Sequence, residues 1–176
     1  MVGFWDLGHK LFRTTRETYP AKFLAGDAFD GAHLCPTAPI PSSPVSLASV
    51  NTLTDLRGHI SVIHASSFFH LFGEEKQFEL AERVASLLDP RPGSIIFGSH
   101  SGTPVKGKRQ GSFEGACSHS PKSWTELWEE RVFEKGQVRV TATLVEVDVV
   151  AERYDQIIPV MEGIKPYWLL WSVERM

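Results

Sequence analysis

The sequence is poor in cysteine, in charge of one sign and in long apolar runs, and each shortage narrows what the chain can be. Cys35 and Cys117 are the two cysteines in 176 residues. They form no C-x-x-C pair and no disulfide framework, which points to a reducing compartment, the cytoplasm. Eighteen Lys and Arg stand against 21 Asp and Glu, a formal net charge of -3. That balance gives no basic stripe, so no nucleic-acid partner is expected. No window approaches the roughly 18 consecutive apolar residues of a membrane span, and MVGFWDLGHK lacks the apolar centre of a signal peptide. A soluble chain without a membrane partner is expected. Neither G-x-G-x-x-G nor G-x-x-x-x-G-K-[ST] occurs, which leaves the chain without a phosphate or cofactor-tail loop of its own. H-E-x-x-H is absent too, and His59, His64 and His70 lack the spacing of a metal-binding helix, so no metal is expected.

What is present reads as one α/β domain over residues 1–176. Phe4, Leu7, Leu11 and Phe12 form a helical stripe over 4–16, stopped by Pro20. Lys22 to Asp27, KFLAGD, reads as a short buried strand ending on an acid. Residues 31–59 carry Pro36, Pro39, Pro41 and Pro44 among serines, a variable loop with one weak helical turn near Leu47 to Leu56. Ile60 to Ser66 is β-branched and apolar, suited to a buried parallel strand. Residues 74–89 place Phe78, Ala81, Val84, Ala85 and Leu88 at helical period behind acids in the first turn. Ser94 to Gly98 resumes as strand, and 99–122 is a second variable loop with four glycines.

Ser123 and Glu126 have capping-box spacing for a helix that presents Trp124, Leu127 and Trp128 and ends at Gly136. Val138, Val140, Ala142 and Leu144 alternate, and the phase then slips to Val145, Val147 and Val149, which predicts a bulge. Tyr167 to Val173 closes the chain as a strand. With no helix between them, the last two strands are expected to pair antiparallel, whereas the first strands are parallel.

Two segments carry candidate chemistry. In Ala25-Gly26-Asp27-Ala28-Phe29-Asp30 an acid stands at the carboxyl end of a strand, where open α/β sheets bind ligands. Its carboxylate can accept from an exocyclic amine such as the adenine N6; equally, it can cap a turn or pair with Arg13 or Arg16. In His64-Ala65-Ser66-Ser67-Phe68-Phe69-His70-Leu71-Phe72, small residues end a buried strand and an aromatic run follows. His70 is either a general base or a hydrogen-bonded histidine beneath a core of phenylalanines. Gly98-Ser99-His100-Ser101-Gly102 imitates a nucleophile elbow but has His at its centre in place of Ser.

The series FWDLGHKLF, KFLAGDAFD, ISVIHASSFFHLF, ELAERVASLLDPRPGSIIFG, SWTELWEE and YWLLWSVER resembles class I S-adenosylmethionine-dependent methyltransferases, nearest to those of fungal meroterpenoid and related secondary-metabolite clusters. The resemblance implies a Rossmann-like sheet of order 3-2-1-4-5-7-6, with KFLAGD as strand 3 and ISVIHAS as strand 4. It also implies that Asp27, Ala28 and Phe29 meet the adenine of S-adenosylmethionine, and that Ala65 and Ser66 lie against its methionine part. Phe69 and His70 line the pocket of a small-molecule substrate, a terpenoid or polyketide methylated on oxygen, with His70 the candidate catalytic group. Such enzymes act chiefly by positioning their reactants. A homodimer through the aromatic last strand is compatible with it.

The family's first strand, Gly-rich loop, helix and second strand have no counterpart here, so the resemblance implies a sheet lacking its first two strands and weak cofactor affinity. Ser61 stands where the family often has Asp. The rival readings are a non-catalytic methyltransferase-like partner of an intact copy, and the product of an incomplete gene model.

Overall fold

A computed structural model describes residues 2–42, 45–108, 116–147 and 165–176. Its centre is a four-stranded mixed sheet. β1 (Val62–His64), β2 (Ile95–Gly102), β5 (Val138–Glu146) and β6 (Tyr167–Arg175) stand in the order β1-β2-β6-β5. β1 and β2 are parallel, joined through helix α2 (Glu74–Ala85), while β6 runs antiparallel to both β2 and β5. A two-stranded ribbon, β3 (Gly107–Lys108) and β4 (Cys117–Ser118), lies within the second variable loop. Helix α1 (Val2–Phe12) opens the chain, and α3 (Pro121–Glu126) continues into a π-helical turn, Leu127–Val132.

The sheet has one well-covered face. Ile96 on β2 and Leu169, Trp171 and Val173 on β6 are buried together with Leu80, Ala81 and Val84 of α2 and Trp124, Leu127 and Trp128 of the α3 segment. The other face shows Val62, Phe97, Leu170 and Val145, each 39–59% exposed. Strand alternation places these four on one side, because Val62 is in register with Ile95, Phe97 with Ser172 and Val145 with Trp168. No helix among the described residues is long and apolar enough to cross a membrane.

Several elements differ from the sequence expectation. KFLAGD joins no sheet: residues 21–27 carry no strand pairing, and Phe23 is 39% exposed. A strand is held by its ladder, and among the described residues β1 offers this segment no register. α1 stops at Phe12, where Arg13 takes φ +53° and the Thr14 N–H reaches the His9 carbonyl at 2.9 Å. The expected apolar stripe of α1 faces outward, with Phe4, Leu7, Leu11 and Phe12 57–79% exposed. Contact is made instead through Trp5, stacked on Phe23 at 5.0 Å.

The 31–59 loop is packed rather than linker-like. Leu34 and Val50 are buried, a 3-10 turn forms at Leu53–Leu56, and Arg83 of α2 donates to the Leu34 carbonyl. α2 ends four residues early, at Ala85. Ser86 then turns its hydroxyl onto the Arg83 carbonyl, and Leu87 and Leu88 remain buried in the following turn.

β2 continues through Gly98-Ser99-His100-Ser101-Gly102 because β6 pairs with its whole length. The helix cap falls on Ser120, not Ser123: the Ser120 hydroxyl accepts from the Ser123 N–H, and the Ser123 hydroxyl accepts from the Ser120 N–H. Pro121 sets that start, since its fixed φ suits the first helical position. β5 holds one register with β6 from Val138–Arg175 to Glu146–Tyr167, so it has no bulge over that length. Val145 stands opposite Trp168 on the outer, partly apolar face, which produces the phase slip without an extra residue. Val149 lies outside the described residues.

Candidate functional site

The carboxyl ends of β1 and β2 are built for close approach. Backbone pairing runs past β1, the Ala65 N–H donating to the Phe97 carbonyl at 2.9 Å and the Ser67 N–H to that of Ser99 at 2.7 Å. Gly98 permits it: a Cβ there would lie 2.4 Å from the Ala65 carbonyl oxygen. Ser67 then takes φ +51°, an αL conformation uncommon for a non-glycine residue. Ser66 points its hydroxyl inward, where it accepts from the Ser99 N–H at 3.0 Å and lies 2.8 Å from His64 Nε2. Its hydroxyl is thus committed to holding the two strand ends together.

The aromatic run that follows is anchored by Gln77. Its side-chain amide donates to the carbonyls of Phe72 at 2.8 Å and Cys117 at 2.7 Å, tying the turn to β4. Phe29 meets Phe72 edge-on at 5.0 Å, and Lys76 sits over the Phe29 ring at 4.5 Å. The 27–30 turn and the 65–72 segment therefore reach one apolar cluster, to which Ala28, Phe29, Ala65 and Phe68 are all packed. Asp27 itself is exposed. Its Oδ1 accepts from the Phe29 N–H at 2.9 Å, a turn bond of the kind Asx side chains make. No hydrogen bond between Asp27 and Ser66 exists among the described residues.

Phe69 is fully buried, ringed by Trp124, Trp128, Trp171 and His100 at 5.1–6.2 Å. It belongs to the core beneath the turn, because its 3-10 conformation, Phe69–Leu71, turns the ring under the sheet while His70 stays half-buried above. His70 stacks at 6.2 Å on His100. Burial, with smaller contributions from His70 and His119, drives the His100 pKa down to about 3. Burial likewise lowers His119 to about 4, with Lys106 adding to the effect. His100, His119, Trp124 and Trp171 escape the sequence reading as site residues. The one legible hint is His100 at an inward strand position between Gly98 and Gly102. A concavity of about 470 Å³ is lined by Glu129 through Lys135. It contains none of these residues and lies along the end of the π-helical turn and the three residues that follow it.

No protein-family model matches the chain. O-methyltransferase phiE of Fungal sp. (strain ATCC 74256) is 37% identical over 136 residues, 76% of this chain and 39% of that protein. The chain is a homologue of fungal methyltransferases. The Asnovolin E/Chermesin D methyltransferase nvfJ of Aspergillus novofumigatus shares 27% identity over 73% of this chain and 40% of its own length. Methyltransferase adrK of Penicillium rubens shares 26% over 98% of this chain and 54% of its own. As a methyltransferase homologue, the chain spans about two fifths to a half of the length of the relatives it matches.

Proposed function

We propose that the chain supplies one side of the active centre of an S-adenosylmethionine-dependent methyltransferase acting on oxygen, in a carboxyl or hydroxyl group, of a small terpenoid- or polyketide-type secondary metabolite. The observation that carries this reading is the strand order. β1-β2-β6-β5, with one parallel and two antiparallel pairs, has the order and directions expected of strands 4-5-7-6 in the sheet of a Rossmann-like class I methyltransferase, and among the described residues no strand pairs with the outer edge of β1. Homology to named methyltransferases supports it.

The residues present suit the cofactor in part. Asp27 spends Oδ1 on its own turn and has Oδ2 without a partner among the described residues, so an adenine amine can be accepted there. Ala28 and Phe29 flank it against the apolar cluster. Ala65 and Ser66 lie where Gly98 lets backbone approach most closely. When bound, S-adenosylmethionine supplies an electrophilic methyl group on a sulfonium. The protein's part is to hold an acceptor oxygen in line with it, to exclude water with Phe68 and Phe72, and to take the acceptor's proton at His70, which stands half-buried beside that cluster. Phe69 supports the pocket from below.

The test is titration of the full chain with S-adenosylhomocysteine, followed by amide chemical shifts. Shifts are expected at Ala28, Phe29, Ala65 and Ser66, with affinity weaker than micromolar. Asp27→Ala should weaken binding by roughly tenfold or more, the worth of one charge-assisted hydrogen bond. Unchanged affinity would reduce Asp27 to a turn acid, and shifts confined to other residues would remove the assignment.

A further inference from the structure

Four polar atoms lie buried beside the proposed pocket without a partner among the described residues: His100 Nε2, His119 Nε2, Trp124 Nε1 and Ser118 Oγ. Their residues are at most 2% exposed. They are neighbours, because the Trp124 ring lies 4.7 Å from that of His100 and 5.2 Å from that of His119, and Ser118 adjoins His119 in the chain. Buried polar atoms are nearly always paired, and each one left unpaired costs about 1–3 kcal/mol. Four together call for an occupant.

The protonation of His100 says which kind. The Trp171 indole N–H can only donate, and it meets His100 Nδ1 at 3.0 Å. Nδ1 is therefore the lone-pair nitrogen, and in the neutral ring the proton sits on Nε2. Trp124 Nε1 is likewise a donor only. Two N–H groups in an aromatic wall need an acceptor, and burial disfavours the charged form of His100 and of His119. The cluster stands toward the carboxyl end of β2, next to the turn after β1, where open α/β sheets receive ligands.

We infer that His100 and Trp124 form an oxygen-recognising recess of the acceptor site, whose N–H groups hold a carbonyl or un-ionised carboxyl oxygen of the small molecule to be methylated. The identity of that molecule as methyl acceptor rests on the function proposed above. His100 is then a positioning and selectivity residue, which favours oxygen-bearing substrates over hydrocarbons of equal shape.

The test uses the full chain labelled with ¹⁵N in His and Trp, and two probes of similar size, methyl benzoate and ethylbenzene. The His100 spectrum should show the Nε2–H tautomer throughout pH 5 to 8. Methyl benzoate should move the His100 Nε2–H and Trp124 Nε1–H resonances, and ethylbenzene should leave them in place. His100→Leu should erase the preference for methyl benzoate, about tenfold for one hydrogen bond. His100→Gln should retain it, since its amide oxygen can accept from Trp171 while its NH₂ donates. An Nδ1–H tautomer, equal responses to the two probes, or resonances that exchange only with a trapped water would overturn the recess. If His100→Leu does not fold, the tautomer and the two-probe comparison decide on the unaltered chain. None of these readouts needs methyl transfer. Failure of S-adenosylhomocysteine to bind, beside a positive methyl benzoate response, would sink the enzymatic function and leave the recess standing.

Discussion

Acidification from pH 8 to pH 5 should cost this fold about 4 kcal/mol, and two histidines account for it. An unfolded chain protonates histidine near pH 6.5. In the folded chain His100 resists protonation to about 3 and His119 to about 4. Both folded values are depressed, so over this window the unfolded state binds more protons and stability falls as pH falls. At pH 5 the unfolded ring gains roughly 1.36 kcal/mol for each of the 1.5 pH units below 6.5, about 2 kcal/mol per histidine. The figure holds for any folded pKa well below 5.

The groups facing His100 are His70 and His119, while Lys106, Glu74 and Arg131 act on His119. The carboxylates of Glu74, Glu79, Asp55 and Asp89 are lowered by their own partners, so their loss begins only under about pH 4.5 and does not enter this window. Urea unfolding followed by tryptophan fluorescence at pH 8, 7, 6 and 5 measures the slope. His100→Gln, which cannot titrate, should keep about half of the loss. A total under about 1 kcal/mol, or an identical slope in the variant, would show that the two imidazoles are not sealed from protons.

Gly98→Ala should destabilise by about 2–3 kcal/mol, because the new methyl would press on the Ala65 carbonyl, which is backbone and cannot swing aside; a loss under 0.5 kcal/mol in the same urea assay would mean that the strand ends separate freely. Ser120→Ala removes the acceptor for the Ser123 N–H at the start of α3 and should cost about 1 kcal/mol, whereas Lys122→Ala, on an exposed side chain of the same turn, should cost little; equal losses would displace the cap.

The pattern of the amino acids revealed the elements whose burial is one-sided and periodic. α2 is legible because Phe78, Ala81, Val84, Ala85 and Leu88 recur at helical period, and the antiparallel end is legible because the sequence between the last two strands carries no helical pattern. The failures have physical causes. KFLAGD has the composition of a strand, yet strand formation is a property of pairs, and composition says nothing about whether a neighbour is present. Val145 reads as the mark of an irregularity because the alternation rule assumes one polar face, and here both faces carry apolar groups. Of the candidate site, the convergence of Phe29 on Phe72 follows from segments that were singled out. The buried role of Phe69 does not, since an aromatic run gives no sign of which ring points inward. The roles of His100 and His119 are not legible in the sequence because a histidine's environment is made by distant residues, here Trp171 and Trp124.

The π-helical turn at Leu127–Val132 has a consequence for how this chain can vary in length. The Phe133 N–H closes on the Trp128 carbonyl five residues back, one more than an ordinary turn spans. The wider turn spends one residue more than an α-turn on the same full rotation, so excising a single position there lets the coil wind normally and leaves everything downstream nearly in phase. The same excision from α2, which has no such slack, would swing the remainder of that helix by about 100° about its axis. The loose turn is therefore the place between helix and sheet where a change of length by one residue least disturbs the Phe133 stack on Trp128 and the facing of β5.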